Sequence, residues 1–272
     1  MSFSNFQQLN FYNANCKVYY WHKAGSDKNK HIILLHGAGC DHLMFEKNIG
    51  IFDSSYNIIV WDARGHGLSK MDKSVRFAFK DMFDDCLQLF EIHQIKQAVI
   101  IGQSMGGNLA QEIAYRYPEK VTKLVLIGST INASKLSPPE KLAIKMTRFI
   151  FSVYPWKLLI SQSANVCGNT GHVKNYAKQC FEKIGKKRFI EIIMSLFDCL
   201  HGNDEYRFSV PVLLICGADD KTGNIKKTMA AWAKIDGNCT LFIIPNAGHN
   251  SNQDNPEDVN NIILTFLGEG TD

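Results

Sequence analysis

The sequence predicts an α/β protein, a doubly wound and mostly parallel sheet carrying a helical insertion. Three observations predict it. Six near-continuous apolar runs have strand length, stretches of helical spacing alternate with them, and residues 131–208 break that alternation without offering a convincing strand.

The elements follow in order. The opening FQQLNFYNANCKVYYW alternates loosely about Asn13 to Asn15 and predicts an antiparallel hairpin at the sheet edge. The runs HIILLHG (31–37), NIIVWD (57–62), QAVIIG (97–102), KLVLIG (123–128), VPVLLICG (210–217) and CTLFIIP (239–245) lack a polar face, as parallel strands covered on both sides do. Between them, Phe79, Met82, Phe83, Cys86, Leu87 and Phe90 recur at spacings of three and four, as do Leu109, Ile113 and Tyr117. The insertion holds helical patterns at 140–154, 173–184 and 189–199, and it opens with SPPEK, where Pro138 and Pro139 mark a helix start. The division is therefore a core of residues 1–130 and 209–272 with a helical cap, 131–208, over one end of the sheet.

Composition narrows the class. The chain has 272 residues, 45% hydrophobic and 21% charged, which excludes disordered and collagen-like chains. The net charge of +4 is spread along the sequence and leaves no nucleic-acid footprint. The one basic cluster, Lys183, Lys186, Lys187 and Arg188, reads as a solvated helix face. Eight scattered cysteines without a CxxC pair, and an N-terminus lacking the features of a signal peptide, point to reduced thiols in a cytoplasm. The most apolar segment, Phe149 to Ile160, is shorter than the roughly 20 residues of a membrane span and is broken by Pro155 and Lys157. No membrane partner is expected, and no interfacial helix is evident.

Chemistry concentrates in IIGQSMGGNLAQEIA. Ser104 stands inside G-x-S-x-G (Gly102, Ser104, Gly106), directly after a predicted strand and before a predicted helix. Such a turn holds a hydroxyl out at the carboxyl end of its strand, and a base must make that hydroxyl nucleophilic. Among nine histidines, His249 in the loop after the last strand reaches the same edge; His93, His172 and His201 lack that placement. A carboxylate must then orient the base. GADD supplies Asp219 and Asp220, which leave the strand in different directions, so only one can face His249. The oxyanion donors are assigned to the backbone N–H groups of Met105, at a helix start, and Ala38, in the HGAG loop. His36 is read as a residue that shapes this loop. HGAGCDH has His42 where a dinucleotide fingerprint needs its third glycine, and no phosphate loop or zinc-ligand spacing occurs, so neither cofactor nor metal is expected.

The motifs HGAG (36–39), DARGHGLS (62–69), GQSMGG (102–107), GADD (217–220) and NAGH (246–249), in that order, resemble the α/β-hydrolase fold family over nearly the whole chain outside the insertion. The resemblance implies a mostly parallel eight-stranded sheet, a lid inserted after KLVLIG, Asp220 as the acid, and Asp62, Arg64 and His66 as braces for the loops. A hydrophobic residue and a proline often follow the acid in relatives, whereas DDKTGNIKK follows here. The expected activity is cofactor-independent hydrolysis of a small or medium, largely apolar acyl substrate, an ester or lactone, through an acyl-enzyme on Ser104. Relatives that cleave carbon–carbon, amide or thioester bonds, and relatives that act as slow-turnover small-molecule sensors, share the motifs. Of the insertion's large apolar residues (Met146, Phe149, Phe151, Tyr154, Trp156, Phe181, Met194, Phe197), most are expected to pack the cap and a minority to roof a pocket above Ser104.

Overall fold

The computed structural model describes residues 3–269. Eight strands form one sheet: β1 (Gln7–Asn13), β2 (Cys16–Lys23), β3 (His31–Leu35), β4 (Asn57–Asp62), β5 (Ala98–Gln103), β6 (Val121–Ile127), β7 (Val212–Gly217) and β8 (Cys239–Ile244), in the order β1-β2-β4-β3-β5-β6-β7-β8. The predicted hairpin is β1/β2; Ala14 and Asn15 both take positive φ (42° and 63°), the twist that a two-residue turn between antiparallel strands requires. β2 also runs antiparallel to β4, and every later pairing is parallel.

Side-chain alternation along the strands builds two cores. Ile33, Leu35, Ile59, Trp61, Ile100, Leu124 and Leu214 pack beneath α1 (Phe79–Ile92), α2 (Met105–Arg116) and α7 (Ile225–Ile235), through Met82, Leu109 and Met229 among others. The other parity, Ile32, Leu34, Ile58, Val60, Ile101, Val125 and Ile215, packs against Met44 and Phe45 and against Val259 and Ile263 of α8 (Pro256–Leu267). The near-continuous apolar runs are thus explained by covering on both faces. β8 is the exception: it ends the sheet, and Phe242 and Ile243 are exposed at that edge.

Between β6 and β7 lie α3 (Pro138–Val153), α4 (Trp156–Cys167), α5 (Gly171–Ile184) and α6 (Lys186–Ser195), followed by a 3-10 turn at Leu196–Cys199. α4 was not expected from the apolar pattern. Pro155 separates it from α3: Tyr154 is held extended (φ −67°, ψ 139°), and the chain restarts as a helix immediately beyond. Leu159, Ile160, Ala164, Ala177, Phe181 and Phe189 give α4, α5 and α6 a small core of their own. The basic cluster straddles the break between α5 and α6 and is only partly a solvated face. Lys186 donates to the carbonyls of Ser152 and Tyr154, and Arg188, largely buried, donates to Glu191 and to the Asp72 carbonyl. All eight cysteines are buried free thiols. Among the described residues no helix is long and apolar enough to cross a membrane.

Candidate active site

The sheet places the site. From β3 the chain moves to β4 on one side, and β5 then returns to the other side of β3, so the loops leaving β3 and β5 diverge and open a crevice at the carboxyl ends of the strands. Ala38 follows β3 and Ser104 follows β5. Asp220 and His249 come from the loops after β7 and β8, at the same edge.

Ser104 adopts φ 50°, ψ −112°, a conformation that costs a non-glycine residue about 1–3 kcal/mol and persists only where neighbours over-determine it. They do so here. The Ser104 N–H donates to the Ile127 carbonyl at 2.8 Å, its carbonyl accepts from Asn108 N at 2.9 Å, and Ser129 Oγ donates to the same carbonyl at 3.1 Å. The helix can start this close to the strand only because Gly102 and Gly106 lack side chains: a Cβ at Gly102 would overlap the Gly106 carbonyl, and one at Gly106 would overlap the Leu35 carbonyl.

His249 is held from three directions. Its Nδ1 lies 3.0 Å from Asp220 Oδ2, its carbonyl accepts from Gln103 Nε2 at 3.2 Å, and its ring backs onto Gly128, where a Cβ would lie 3.1 Å from Nδ1. Asp220 Oδ1 accepts from Thr222 N at 2.8 Å, so both carboxylate oxygens are engaged. Burial pushes the Asp220 carboxyl upward, but the His249 and Thr222 hydrogen bonds outweigh it and the pKa is lowered. Asp219 faces elsewhere and accepts from Asn169 Nδ2 at 2.7 Å. The alternative left open by the adjacent carboxylates thus resolves geometrically to Asp220. Behind His249, the Asp254 carboxylate accepts from the backbone N–H groups of Gly248, Asn169 and Thr170 at 2.8–2.9 Å, tying the histidine loop to the turn between α4 and α5.

The β3 loop lies alongside. Gly37 packs against Ser104, where a Cβ would lie 3.4 Å from the serine Cβ. His36 shapes the loop as expected: its Nδ1 bonds the Gly37 carbonyl at 2.9 Å and its Nε2 accepts from Ala63 N at 3.0 Å, which fixes the proton on Nδ1. Burial lowers its pKa. The DARGHGLS residues brace rather than line the site. Asp62 accepts from His42 N, His42 Nδ1 and Leu68 N. Arg64, fully buried, forms a two-pronged pair with Asp85 at 2.6 and 2.7 Å, and His66 is buried against His36 with its pKa lowered by burial to about 3.

Ser104, His249 and Ala38 border one cavity of about 980 Å³, near the upper end for small-molecule sites. Met105 is the first residue of α2, so its N–H is among those a helix leaves without an internal acceptor. Of the insertion's large apolar residues, Phe151, Phe181 and Phe197 line the cavity, while Tyr154 and Trp156 pack within the insertion. Met146 and Phe149 do neither and are exposed. Phe189, Ile193 and Trp232 complete much of the apolar wall. Sequence reasoning missed Gln103, which clamps His249, and Asn108 and Thr130, a hydrogen-bonded polar pair on the cavity wall. A polar residue on the buried face of α2, one position before Leu109, was the available signal. The rejected histidines lie elsewhere: His93 bonds Tyr20 and His201 bonds Glu112.

Known proteins agree with this architecture. The chain is 23% identical over 259 residues to the hydrolase YugF of Bacillus subtilis, covering 92% of this chain and 94% of that one. It is 25% identical over 265 residues to a 2-hydroxy-6-oxononadienedioate/2-hydroxy-6-oxononatrienedioate hydrolase of Burkholderia vietnamiensis, covering 88% and 87%. Among solved structures, an esterase from Thermogutta terrifontis superposes with a TM-score of 0.79 at 20% identity, covering 97% of this chain and 98% of that one. The enol-lactonase from Burkholderia xenovorans superposes with 0.80 at 17% identity, covering 96% and 100%. The profile of the serine aminopeptidase S33 family matches residues 26–255. With that match over most of its length and an eight-stranded sheet of the same architecture, the chain is a member of this family of α/β hydrolases.

Proposed function

We propose that the protein is a cofactor-independent serine hydrolase that cleaves a small or medium, largely apolar carboxylic ester or lactone, with residues 131–208 as its cap. The observation that carries this reading is the His249–Asp220 hydrogen bond beside a strained Ser104, with the serine and histidine bordering one largely apolar cavity. Asp220 holds the His249 proton on Nδ1, leaving Nε2 free to take the Ser104 proton as Oγ attacks the carbonyl. The Met105 and Ala38 N–H groups receive the developing oxyanion, each worth about 3–4 kcal/mol in such sites. His249 then protonates the departing alcohol and activates the water that clears the acyl-enzyme. Two structural neighbours are an esterase and an enol-lactonase, in keeping with acyl chemistry. Other relatives are named epoxide hydrolases. A serine opening an epoxide would leave an ether that water cannot clear, so the hydroxyl at position 104 favours acyl transfer.

The test is a fluorophosphonate label located by mass spectrometry, with burst kinetics on short-chain nitrophenyl esters. Labelling at Ser104 and loss of turnover in Ser104→Ala support the reading. Undiminished turnover in that variant refutes it, and a single stoichiometric turnover favours a sensor.

A further inference from the structure

α3 carries two apolar surfaces, and only one of them serves the cavity. At 100° per residue, Ala143, Ile144, Thr147 and Phe151 form the arc that borders the cavity. Leu142, Met146, Phe149, Ile150 and Val153 form a second arc about 100° wide. Its side chains are 47–65% exposed, so no neighbour among the described residues buries the arc. Leu158, at 53%, continues the patch past Pro155 onto α4. A stripe of five large apolar residues at helical spacing is not the scatter of single hydrophobic side chains that surfaces normally show.

Its electrostatic setting is one-sided. From Pro138 to Leu158 the sequence has Lys141, Lys145, Arg148 and Lys157 against a single acid, Glu140. Lys141 and Arg148 are exposed and fall on the polar side of the helix, between the stripe and the arc that borders the cavity. Glu140 is engaged by Ser137 in a capping box at the start of the helix. An exposed apolar stripe with a basic polar side is the pattern of a helix that lies in a lipid interface.

We propose that the outer face of α3 docks on an anionic lipid surface, its apolar stripe entering the boundary between headgroups and acyl chains and its basic side meeting the headgroups. Anionic lipid is the complement that the basic side specifies, and the cytoplasmic leaflet, which eight reduced thiols also suit, supplies it. The adjoining face of the same helix borders the cavity, so docking sets the cavity beside the phase in which apolar acyl substrates dissolve. This departs from the expectation that no membrane is engaged. That expectation rested on the lack of a span, and a helix lying along the surface needs none. The docking does not depend on the hydrolytic reading.

The test uses the full chain with extruded vesicles of phosphatidylcholine alone and with about 30% phosphatidylserine, scored by flotation. Binding should appear with the anionic vesicles, weaken about tenfold as salt rises to ~0.5 M, and fall at least tenfold in Phe149→Glu/Val153→Glu. Lys141→Glu/Arg148→Glu should remove the preference for anionic lipid. None of these residues borders the cavity, so hydrolysis of a short soluble ester should stay within twofold and report that the variants are folded. Absence of binding, or equal binding by wild type and both variants, overturns the proposal. So does a wild-type dimer that Phe149→Glu dissociates without any vesicle binding, since a second copy would then be the occupant.

Discussion

Replacing Asp220 by Asn separates orientation of the base from the mere presence of a polar partner. The carboxylate bridges two donors, His249 Nδ1 at 3.0 Å and Thr222 N at 2.8 Å. An amide has one acceptor and one donor end. With its oxygen toward Thr222, its NH₂ faces His249 Nδ1, which must then accept, so the proton moves to Nε2 and the base can no longer receive one from Ser104. With the amide turned round, its NH₂ confronts the Thr222 N–H, which is fixed by the backbone. The first arrangement wins because only a rotatable proton must move. A wrong tautomer of this kind costs about 10⁴ in kcat, or ~5 kcal/mol at 1.36 kcal/mol per decade. Asp219→Asn is the matched control: it changes only the contact with Asn169, which is exposed, and should alter kcat less than about threefold. The assay is steady-state hydrolysis of a short nitrophenyl ester with active sites counted by fluorophosphonate. If Asp220→Asn keeps more than a tenth of wild-type kcat, or if Asp219→Asn falls as far, the orientation argument is wrong.

Other consequences follow from the same contacts. The Asp220 pKa is lowered on folding, so its carboxylate contributes stability above the ordinary carboxylate range and loses it as pH falls through the folded-state value; urea midpoints of wild type and Asp220→Asn should therefore converge as the pH is taken below the ordinary carboxylate range. Asp85→Ala strands a fully buried guanidinium with the partly exposed Asp81 carboxylate and a long contact to the Asn13 carbonyl, and should cost about 3–5 kcal/mol in chemical denaturation. Gly128→Ala adds a Cβ 2.8 Å from the His249 carbonyl at a residue with φ 52°, and the displaced imidazole should lower kcat about 100-fold with KM nearly unchanged. Phe197→Ala enlarges the cavity and should raise kcat/KM for the longest tolerated acyl chains about tenfold relative to acetate, measured over a chain-length series.

The sheet was legible because burial on both faces removes the polar side of a strand, and six such runs punctuated by glycine permit few arrangements. Its weak point was β8, whose run is as apolar as the others although it ends the sheet and leaves Phe242 and Ile243 in solvent. Composition records what a strand can bury, not whether a neighbour arrives. The candidate site stood out in the sequence for a different reason: tight turns demand glycine, and glycine spacing marks Ser104. The choice between Asp219 and Asp220 was not available from the residues themselves, because the direction in which each leaves β7 is set by the pairing of Asp219 N with the Ala247 carbonyl, a contact between distant loops. Gln103 and Asp254 were invisible likewise, each acting on His249 or its loop across the fold.

The same limit explains the insertion. Helical periodicity states that a face is apolar, and for α4, α5 and α6 the faces meet one another in a common core. In α3 the periodicity is just as regular, yet its apolar residues divide between a cavity wall and an outer stripe with nothing over it. A helix whose cavity arc runs on into an exposed apolar arc has no single buried side to satisfy, so its pattern resembles ordinary amphipathicity until the packing is known. Such a helix is costly to expose: at about 25 cal/mol/Å² for apolar surface, covering even 300 Å² of such a stripe would be worth ~7 kcal/mol before the costs of association. The chain has placed this uncompensated apolar area on an element that also borders the cavity. Substrate access and surface attachment are then two properties of one helix, and a substitution on the stripe should separate them.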